Sequence, residues 1–300
     1  MNGTNIDISL LPTPDVIETL GYETILAQHK ADLVEIFPEC EPLLALESEP
    51  LVKQLRVSAW RELLLRQRVN EACRALLLPF AKGADLDHLG TTYHRTQRLL
   101  VSAGDATATP AVSAVWESDE DYLYRCTLSP SGFSVAGPSA AYEYHALSAS
   151  GEVKNAYPHS PIPGSVDVYV LSNIGDGTPT AALLATVDAA LQPTSIRPMC
   201  DEVITKPAIV KLYQITAVIY GYEGIVSDLA VAAANSNAAA YATEHHRINH
   251  SIFRAGIEAS IKVFGVSDIE ITSPAASIIN VIGEAAYCTG INITYGGIRQ

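Results

Sequence analysis

The sequence predicts an α+β protein with an N-terminal helical region that contains one long helix, followed by two smaller mixed domains. Apolar residues recur at helical spacing through most of the first 80 residues, whereas Ser165–Leu171 alternates with the period of a strand. Strands and helices beyond that point do not alternate regularly, which argues against a doubly wound parallel sheet. The chain has 300 residues, 48% of them hydrophobic, which is enough for two or three compact domains.

The chain opens with a segment that we expect to be extended, followed by a first helix. Prolines interrupt residues 1–14, which predicts an extended arm. Apolar side chains from Tyr22 to Ile36 fall at helical spacing, and Pro38 and Pro42 should end that helix.

A much longer helix is predicted from about Pro50 to about Leu78. Ser48 is its expected N-cap, and Pro50 suits the first turn because the missing N–H has no helical partner there. Gly83 is the expected stop signal. The next residues, 91–114, are rich in Ala, Thr and Ser, which indicates a linker or a small insert.

The remaining elements alternate less regularly. Ser118 and Asp121 form a capping box that opens a short helix, and residues 129–138 are predicted to form a loop. Further helices are predicted at 139–149, 180–191, 227–246 and 251–264, strands at 153–157, 165–171, 201–205, 209–220 and 268–272, and a hairpin-like tail at 278–295. These elements predict a helical region at 1–90, a linker or insert at 91–114, a central domain at 115–206 and a C-terminal α+β domain at 207–300.

The long helix carries apolar residues on two sides. A broad stripe consists of Leu51, Val52, Leu55, Ala59, Leu63, Val69, Ala72, Cys73, Leu76 and Leu77. A second patch, roughly opposite, consists of Val57, Trp60, Leu64 and Leu78. A surface helix ordinarily has one apolar stripe, so we expect this helix to pack against its own core on one side and a neighbouring chain on the other.

Glu62 and Arg66 fall within the broad stripe at i,i+4 spacing. They could point outward as a weak helix pair, or they could form a desolvated pair that fixes the register of an interface. The spacing leaves both alternatives open, and both residues join Val57, Trp60 and Leu64 as candidates for partner binding.

Composition excludes several classes of protein. The net charge is −14, and residues 101–225 hold 13 acids against 5 bases, which argues against a nucleic-acid-binding surface. No apolar run is long enough to predict a membrane span, and no signal peptide is recognisable, so we expect synthesis in the cytoplasm. Five scattered cysteines predict a reduced protein.

Residues that could carry chemistry are few. His246 and His250 are four apart, as zinc ligands on a helix are, but a turn is expected between them. Asp85 and Asp87 could bind a cation, although Leu86 and Leu89 around them indicate a turn with inward-packing leucines. A small metal-dependent hydrolase is therefore the alternative function, and a β-rich fibre-attachment protein is disfavoured by the long helix.

Four segments resemble the baseplate J-like family of contractile-tailed phages and R-type bacteriocins. The most specific is LALESEPLVKQLRVSAWRELLLRQRVNEACRALLLPFAKGADLDHLG, residues 44–90. Residues 117–126 and 132–172 resemble the central domain of that family, and GVSDIEITSP, residues 265–274, resembles its C-terminal domain.

The resemblance implies a structural wedge subunit of a tail baseplate, without catalytic residues or a cofactor. It implies contacts with other copies of the same chain in a ring of sixfold symmetry around the hub and spike. It also implies contacts of the N-terminal helices with a second wedge protein, and contacts with hub, sheath-initiating and fibre-attachment proteins. The ring would couple host attachment to sheath contraction, in a particle assembled in the host cytoplasm, with neither nucleic acid nor membrane as a partner.

Overall fold

A computed structural model describes residues 11–12, 14–222 and 227–299. The chain forms two compact units, Met1–Gln97 and Arg98–Gln300. The fold is of the predicted α+β class, with helices at the N-terminus and mixed sheets in the second unit. The arm predicted at residues 1–14 falls almost wholly outside the described residues.

The first unit is helical, as the sequence predicts. Its elements are α1 (Tyr22–Ile36), a 3-10 helix (Pro38–Ala45), α2 (Pro50–Ala75) and α3 (Gly83–His94). The bounds predicted for α1 are confirmed. The prolines end α1 as predicted, and the residues that follow form the 3-10 helix, which sequence periodicity does not reveal.

Two predictions about the ends of the long helix are wrong. The residue at the N-cap is Glu49 rather than Ser48, and it makes no side-chain cap, although Pro50 does occupy the first turn. The helix ends at Ala75, three residues before Leu78, and Gly83 opens α3 instead of stopping α2. The apolar run after Ala75 continues the helical period, but its backbone forms successive turns, so periodicity alone placed the end too late.

The predicted turn around Asp85 is also wrong, because this segment forms the first half of α3. Leu86 is fully buried and Leu89 is half-buried, so the expected inward packing of these leucines is confirmed. Arg95 ends the helix in the left-handed conformation, with φ of 52°.

The first half of the second unit is built around a three-stranded sheet. Its elements are β1 (Leu100–Ser102), β2 (Val115–Trp116), α4 (Asp119–Gly132), α5 (Ser139–Ala149), β3 (Val153–Ile162), β4 (Ser165–Ser172), α6 (Ala181–Leu191) and β5 (Glu202–Pro207). The predicted cap of α4 is confirmed, since Ser118 Oγ accepts a hydrogen bond of 3.1 Å from the Asp121 N–H. The loop predicted at 129–138 begins too early, because α4 continues through Pro130 to Gly132.

The central sheet has the order β3-β4-β5. β3 and β4 form an antiparallel hairpin, and α6 makes the crossover to β5, which runs parallel to β4. Pro158 and Pro161 lie inside β3, where the sequence predicts a strand end. β3 is an edge strand, which tolerates residues that cannot donate to a ladder. Val168 and Val170 face α5 and α6, whereas Tyr169 and Leu171 face the opposite side.

The C-terminal half contains a second three-stranded sheet, with the order β7-β6-β8. Its elements are β6 (Ile209–Gly221), α7 (Ser227–His245), α8 (Arg254–Ile261), β7 (Val266–Ser273) and β8 (Glu284–Ile298). The buried residues Ala230, Ala234, Ala238 and Ala242 form a stripe of small side chains along α7 and pack against β6. One residue, Ala208, joins the two sheets.

The hairpin-like tail predicted at 278–295 is wrong. Residues 284–298 form one strand that pairs in parallel with β6. Gly296 also lies within this strand, where an added Cβ would come within 2.5 Å of Val218 Cγ1 and 2.6 Å of Tyr220 Cε1. Glycine is therefore needed there for a close approach of side chains, which single-sequence patterns do not distinguish from a turn. Within the described ranges, no helix is long and apolar enough to cross a membrane.

A candidate partner-binding helix

One face of α2 packs inside the first unit. Val52 is 1% exposed and Ala59 is fully buried, and each lies in a separate small cluster. Ala59 packs with Ile25 and Leu26 of α1, and Val52 packs with residues of the 3-10 helix. Because α2 has 26 residues, it extends for about 39 Å at a rise of about 1.5 Å per residue.

The opposite face of α2 exposes the second apolar patch. Val57, Trp60 and Leu64 are 50%, 53% and 49% exposed, and they lie within an arc of about 60° at about 100° per residue. Trp60 contacts one residue of α1, the ring of Tyr22, edge-on with 6.1 Å between centroids. We call Val57, Trp60 and Leu64 the outward patch.

Glu62 and Arg66 do not join the outward patch, because they point to the side of α2 that faces α1. Glu62 Oε2 lies 2.5 Å from His29 Nε2, and Glu62 Oε1 lies 2.7 Å from an Arg66 guanidinium nitrogen. Arg66 also donates to Glu18 at 3.3 Å. The hydrogen bond from His29, with help from Arg66, lowers the pKa of Glu62. Glu62 therefore joins α1 to α2 within one chain.

Two further apolar residues of α2, and Leu76 just beyond its end, are exposed. Leu65, Val69 and Leu76 are 66%, 52% and 74% exposed, although the last two belong to the stripe expected to face the core. They flank the outward patch on one side of the helix. A helical wheel of α2 alone does not reveal this, because the covering element, α1, is only 15 residues long and reaches only part of the stripe.

Among its described residues, the first unit exposes more large apolar side chains than it buries. Its buried apolar residues are Ile25, Leu26, Cys40, Leu44, Val52, Ala59, Ala81 and Leu86. Its exposed large apolar residues are Leu11, Val16, Ile36, Phe37, Leu43, Leu46, Val57, Trp60, Leu64, Leu65, Val69, Leu76 and Tyr93. A monomeric protein rarely exposes such a concentration of apolar residues, so this unit has the surface of a protein that binds another chain.

The candidate metal residues do not converge. His246 is buried, with its Nδ1 atom 2.8 Å from Lys154 Nζ and its ring against Tyr287, whereas His250 is exposed and lies against His245. Among the residues that the structure describes, no three His, Cys, Asp or Glu side chains are grouped to hold a metal ion. The hydrolase alternative has no support in this geometry.

Comparison with known proteins identifies the family. Residues 47–105 match the baseplate J-like N-terminal domain, which includes all of α2, and residues 134–207 match the baseplate J-like central domain. The chain is 42% identical over 297 residues to baseplate protein J of Escherichia phage P2, covering 97% of this chain and 98% of that protein.

The chain therefore belongs to the baseplate J-like family. It is a structural subunit of the baseplate of a contractile phage tail, it assembles with other baseplate components, and its place is in the tail of the virion. The exposed apolar surface of the first unit is consistent with this class, because the work of such a subunit is to bind its neighbours.

Proposed function

We propose that the outward patch of α2 is the surface through which this subunit binds a second wedge protein. In this proposal Val57, Trp60 and Leu64 pack into a helical bundle with that protein. The observation that carries the proposal is the exposure of all three side chains on one side of a helix whose other side is already packed. Trp60 is the expected anchor, because large aromatic side chains dominate the energetics of interfaces.

The charge of α2 favours a partner that is a different chain. The helix holds six of the 19 Lys and Arg residues but two of the 33 Asp and Glu residues, in a chain whose net charge is −14. Lys53, Arg61 and Arg68 lie on the same side as the outward patch, and all three are exposed. Two copies of this basic face would repel each other, so the expected partner presents an apolar seam flanked by carboxylates.

Glu62 and Arg66 have a different role in this proposal. The contact of Glu62 with His29 holds α1 against α2, and Arg66 binds Glu18 in the segment before α1, which together fix the angle at which the outward patch is presented. Glu62 and Arg66 are 30% and 49% exposed, so the pair is partly solvated in the single chain and contributes modestly to stability. Of the two sequence alternatives, we favour the weak helix pair over the desolvated interface pair.

The wider role follows from the family. We propose that the second unit makes ring contacts with other copies around the hub and spike, and that hub, sheath-initiating and fibre-attachment proteins bind the ring. The ring couples host attachment to sheath contraction. We further propose that the subunit has no catalytic activity and that it assembles in the host cytoplasm. Residues 1–90 act as a helical region, residues 115–206 as a central domain and residues 207–300 as a C-terminal domain. Residues 91–114 are a linker or small insert between the helical region and the central domain.

Co-expression with a second wedge protein of the same particle tests the proposal. Leu64→Ala should reduce the amount of partner that co-purifies by about tenfold or more, because it removes a side chain from the centre of the patch. Leu46→Ala is the matched control, since Leu46 is 53% exposed but lies outside α2, and it should leave co-purification unchanged.

Charge reversal tests whether the basic residues around the outward patch contribute to binding. Arg61→Glu should weaken binding in low salt more than in high salt, because the effect of an exposed charge is screened. Wild-type amounts of partner with Leu64→Ala and with Trp60→Ala would refute the proposed surface. Loss with Leu64→Ala together with no effect of Arg61→Glu would keep the surface and refute the carboxylate-flanked partner.

A further inference from the structure

The loop that follows α7 enters the space between the two sheets of the second unit. Residues 246–250, here called the plug loop, belong to the C-terminal half by sequence. Their contacts reach both halves. His246 is 6% exposed and Ile248 is 3% exposed, so the loop is buried at these two positions although it is irregular in structure. A buried loop must have its polar groups satisfied by the elements around it.

Polar contacts join the plug loop to β3 of the central sheet. Lys154 Nζ lies 2.8 Å from His246 Nδ1, and the Ile248 N–H donates to Asn155 Oδ1 at 3.0 Å. Lys154 and Asn155 are adjacent in β3, so the loop is bound along the edge of that strand. Since a lysine ammonium can only donate, Nδ1 of His246 is the acceptor and the ring is neutral in this contact.

Apolar contacts continue the connection. Ile248 packs in one buried cluster with Leu171 of β4, Ala208 between the sheets and Ala285 of β8. This cluster therefore contains residues of both sheets together with Ala208, the residue that joins them. Tyr169 packs against the same cluster.

The C-terminal half holds the other side of the loop. The Asn249 N–H donates to the Glu284 carbonyl at 2.8 Å, and the Gly283 N–H donates to Asn249 Oδ1 at 2.9 Å. Asn249 has φ of 65°, a conformation that asparagine tolerates better than most residues. Gly283 approaches the ring of Tyr169 so closely that an added Cβ would lie 2.5 Å from Cε1, which only glycine permits.

We propose that the plug loop is a mechanical joint that locks the central and C-terminal sheets into one body. The direct covalent link between the sheets is the single residue Ala208, and the plug loop adds buried apolar contacts and hydrogen bonds that restrain their relative angle. With it, motion of one sheet is transmitted to the other through Ile248 and its neighbours. In the baseplate, rearrangements then occur at contacts outside this junction and not between the two sheets.

Hydrogen exchange of the full-length chain, measured by mass spectrometry, tests the proposal with a matched pair of variants. Ile248→Ala removes the apolar part of the joint, whereas Ile252→Ala removes an equally buried isoleucine that packs only in the C-terminal core. Ile248→Ala should accelerate amide exchange in β3 and β4 by about tenfold or more. Ile252→Ala should accelerate exchange in the C-terminal sheet and leave β3 and β4 as in the wild type.

A milder variant covers the case in which Ile248→Ala does not fold. Asn155→Ala deletes the acceptor on the central side, at a half-buried position, and it should accelerate exchange of the Ile248 amide and of β8. Unchanged exchange in β3 and β4 with Ile248→Ala, or equal acceleration there with Ile252→Ala, would overturn the proposal. Confinement of the Asn155→Ala effect to β3 would overturn it as well.

Discussion

Acidification should weaken the contact between His246 and the central sheet. The groups that face His246 are Lys154 from β3, the Asp176 turn and Tyr287 from β8. Burial, with the positive charge of Lys154, lowers the pKa of His246 from its usual 6.5 to about 4, and the nearby Asp176 offsets part of this effect. A proton on Nδ1 would place two cationic donors against each other, which explains why the pKa of His246 is lowered.

The sign and the size of the pH effect follow from this pKa. Between pH 6.5 and about 4 the unfolded chain binds a proton at this histidine while the folded chain does not, so stability falls as the pH falls through this window. One pH unit corresponds to about 1.4 kcal/mol, so the full loss is about 3 kcal/mol. Above pH 6.5 and below about pH 4 this histidine should add no further dependence on pH.

Urea unfolding at several pH values measures the effect, with His246→Asn as the reference variant. Asparagine keeps an acceptor for Lys154 and does not titrate, so the difference in free energy of unfolding between wild type and variant isolates His246. That difference should shift against the wild type by about 2–3 kcal/mol between pH 7 and pH 4.5. A difference that stays constant over this range would refute the assignment of a buried neutral histidine at this contact.

Further substitutions test the packing inside each of the two units separately. Glu117→Ala should lower the free energy of unfolding, measured by urea denaturation, by about 3–5 kcal/mol. The reason is that the buried Arg125 guanidinium loses the carboxylate that it contacts at 2.7 and 2.9 Å. A loss below about 1 kcal/mol would show that Arg125 finds another acceptor. Leu63→Ala should cost about 1–3 kcal/mol, because Leu63 packs against the α1–α2 cluster, whereas Leu64→Ala should change stability by no more than about 0.5 kcal/mol. Equal losses in thermal denaturation would mean that the two faces of α2 are assigned wrongly.

The elements that sequence predicts best are those with a strong local signal. The periodicity of α1 and the Ser118 cap each depend on residues within a few positions, and both are confirmed. The errors arise where the partner is distant in sequence. The tail at 278–295 was predicted as a hairpin because nothing local to these residues encodes their parallel pairing with β6, a strand that begins at Ile209.

The outward patch was predictable in part, because helical geometry is also a local signal. Helical geometry alone places Trp60 and Ala59 about 100° apart, and the two are exposed and buried, respectively. Helical geometry also placed Glu62 in the broad stripe, but its contact with His29 could not be predicted from α2 itself, because His29 lies 33 residues away on α1. The turn between His246 and His250 was expected, but the contacts of the plug loop with Lys154 and Asn155 were not predicted, since they span more than 90 residues.

A density map of the assembled baseplate that resolves side chains is the most direct test of the central claim. The account predicts that Val57, Trp60 and Leu64 are buried against a helix of a different wedge protein, with carboxylates of that protein near Arg61. A map in which these three side chains face solvent, or in which α2 packs against another copy of the same chain, would contradict it.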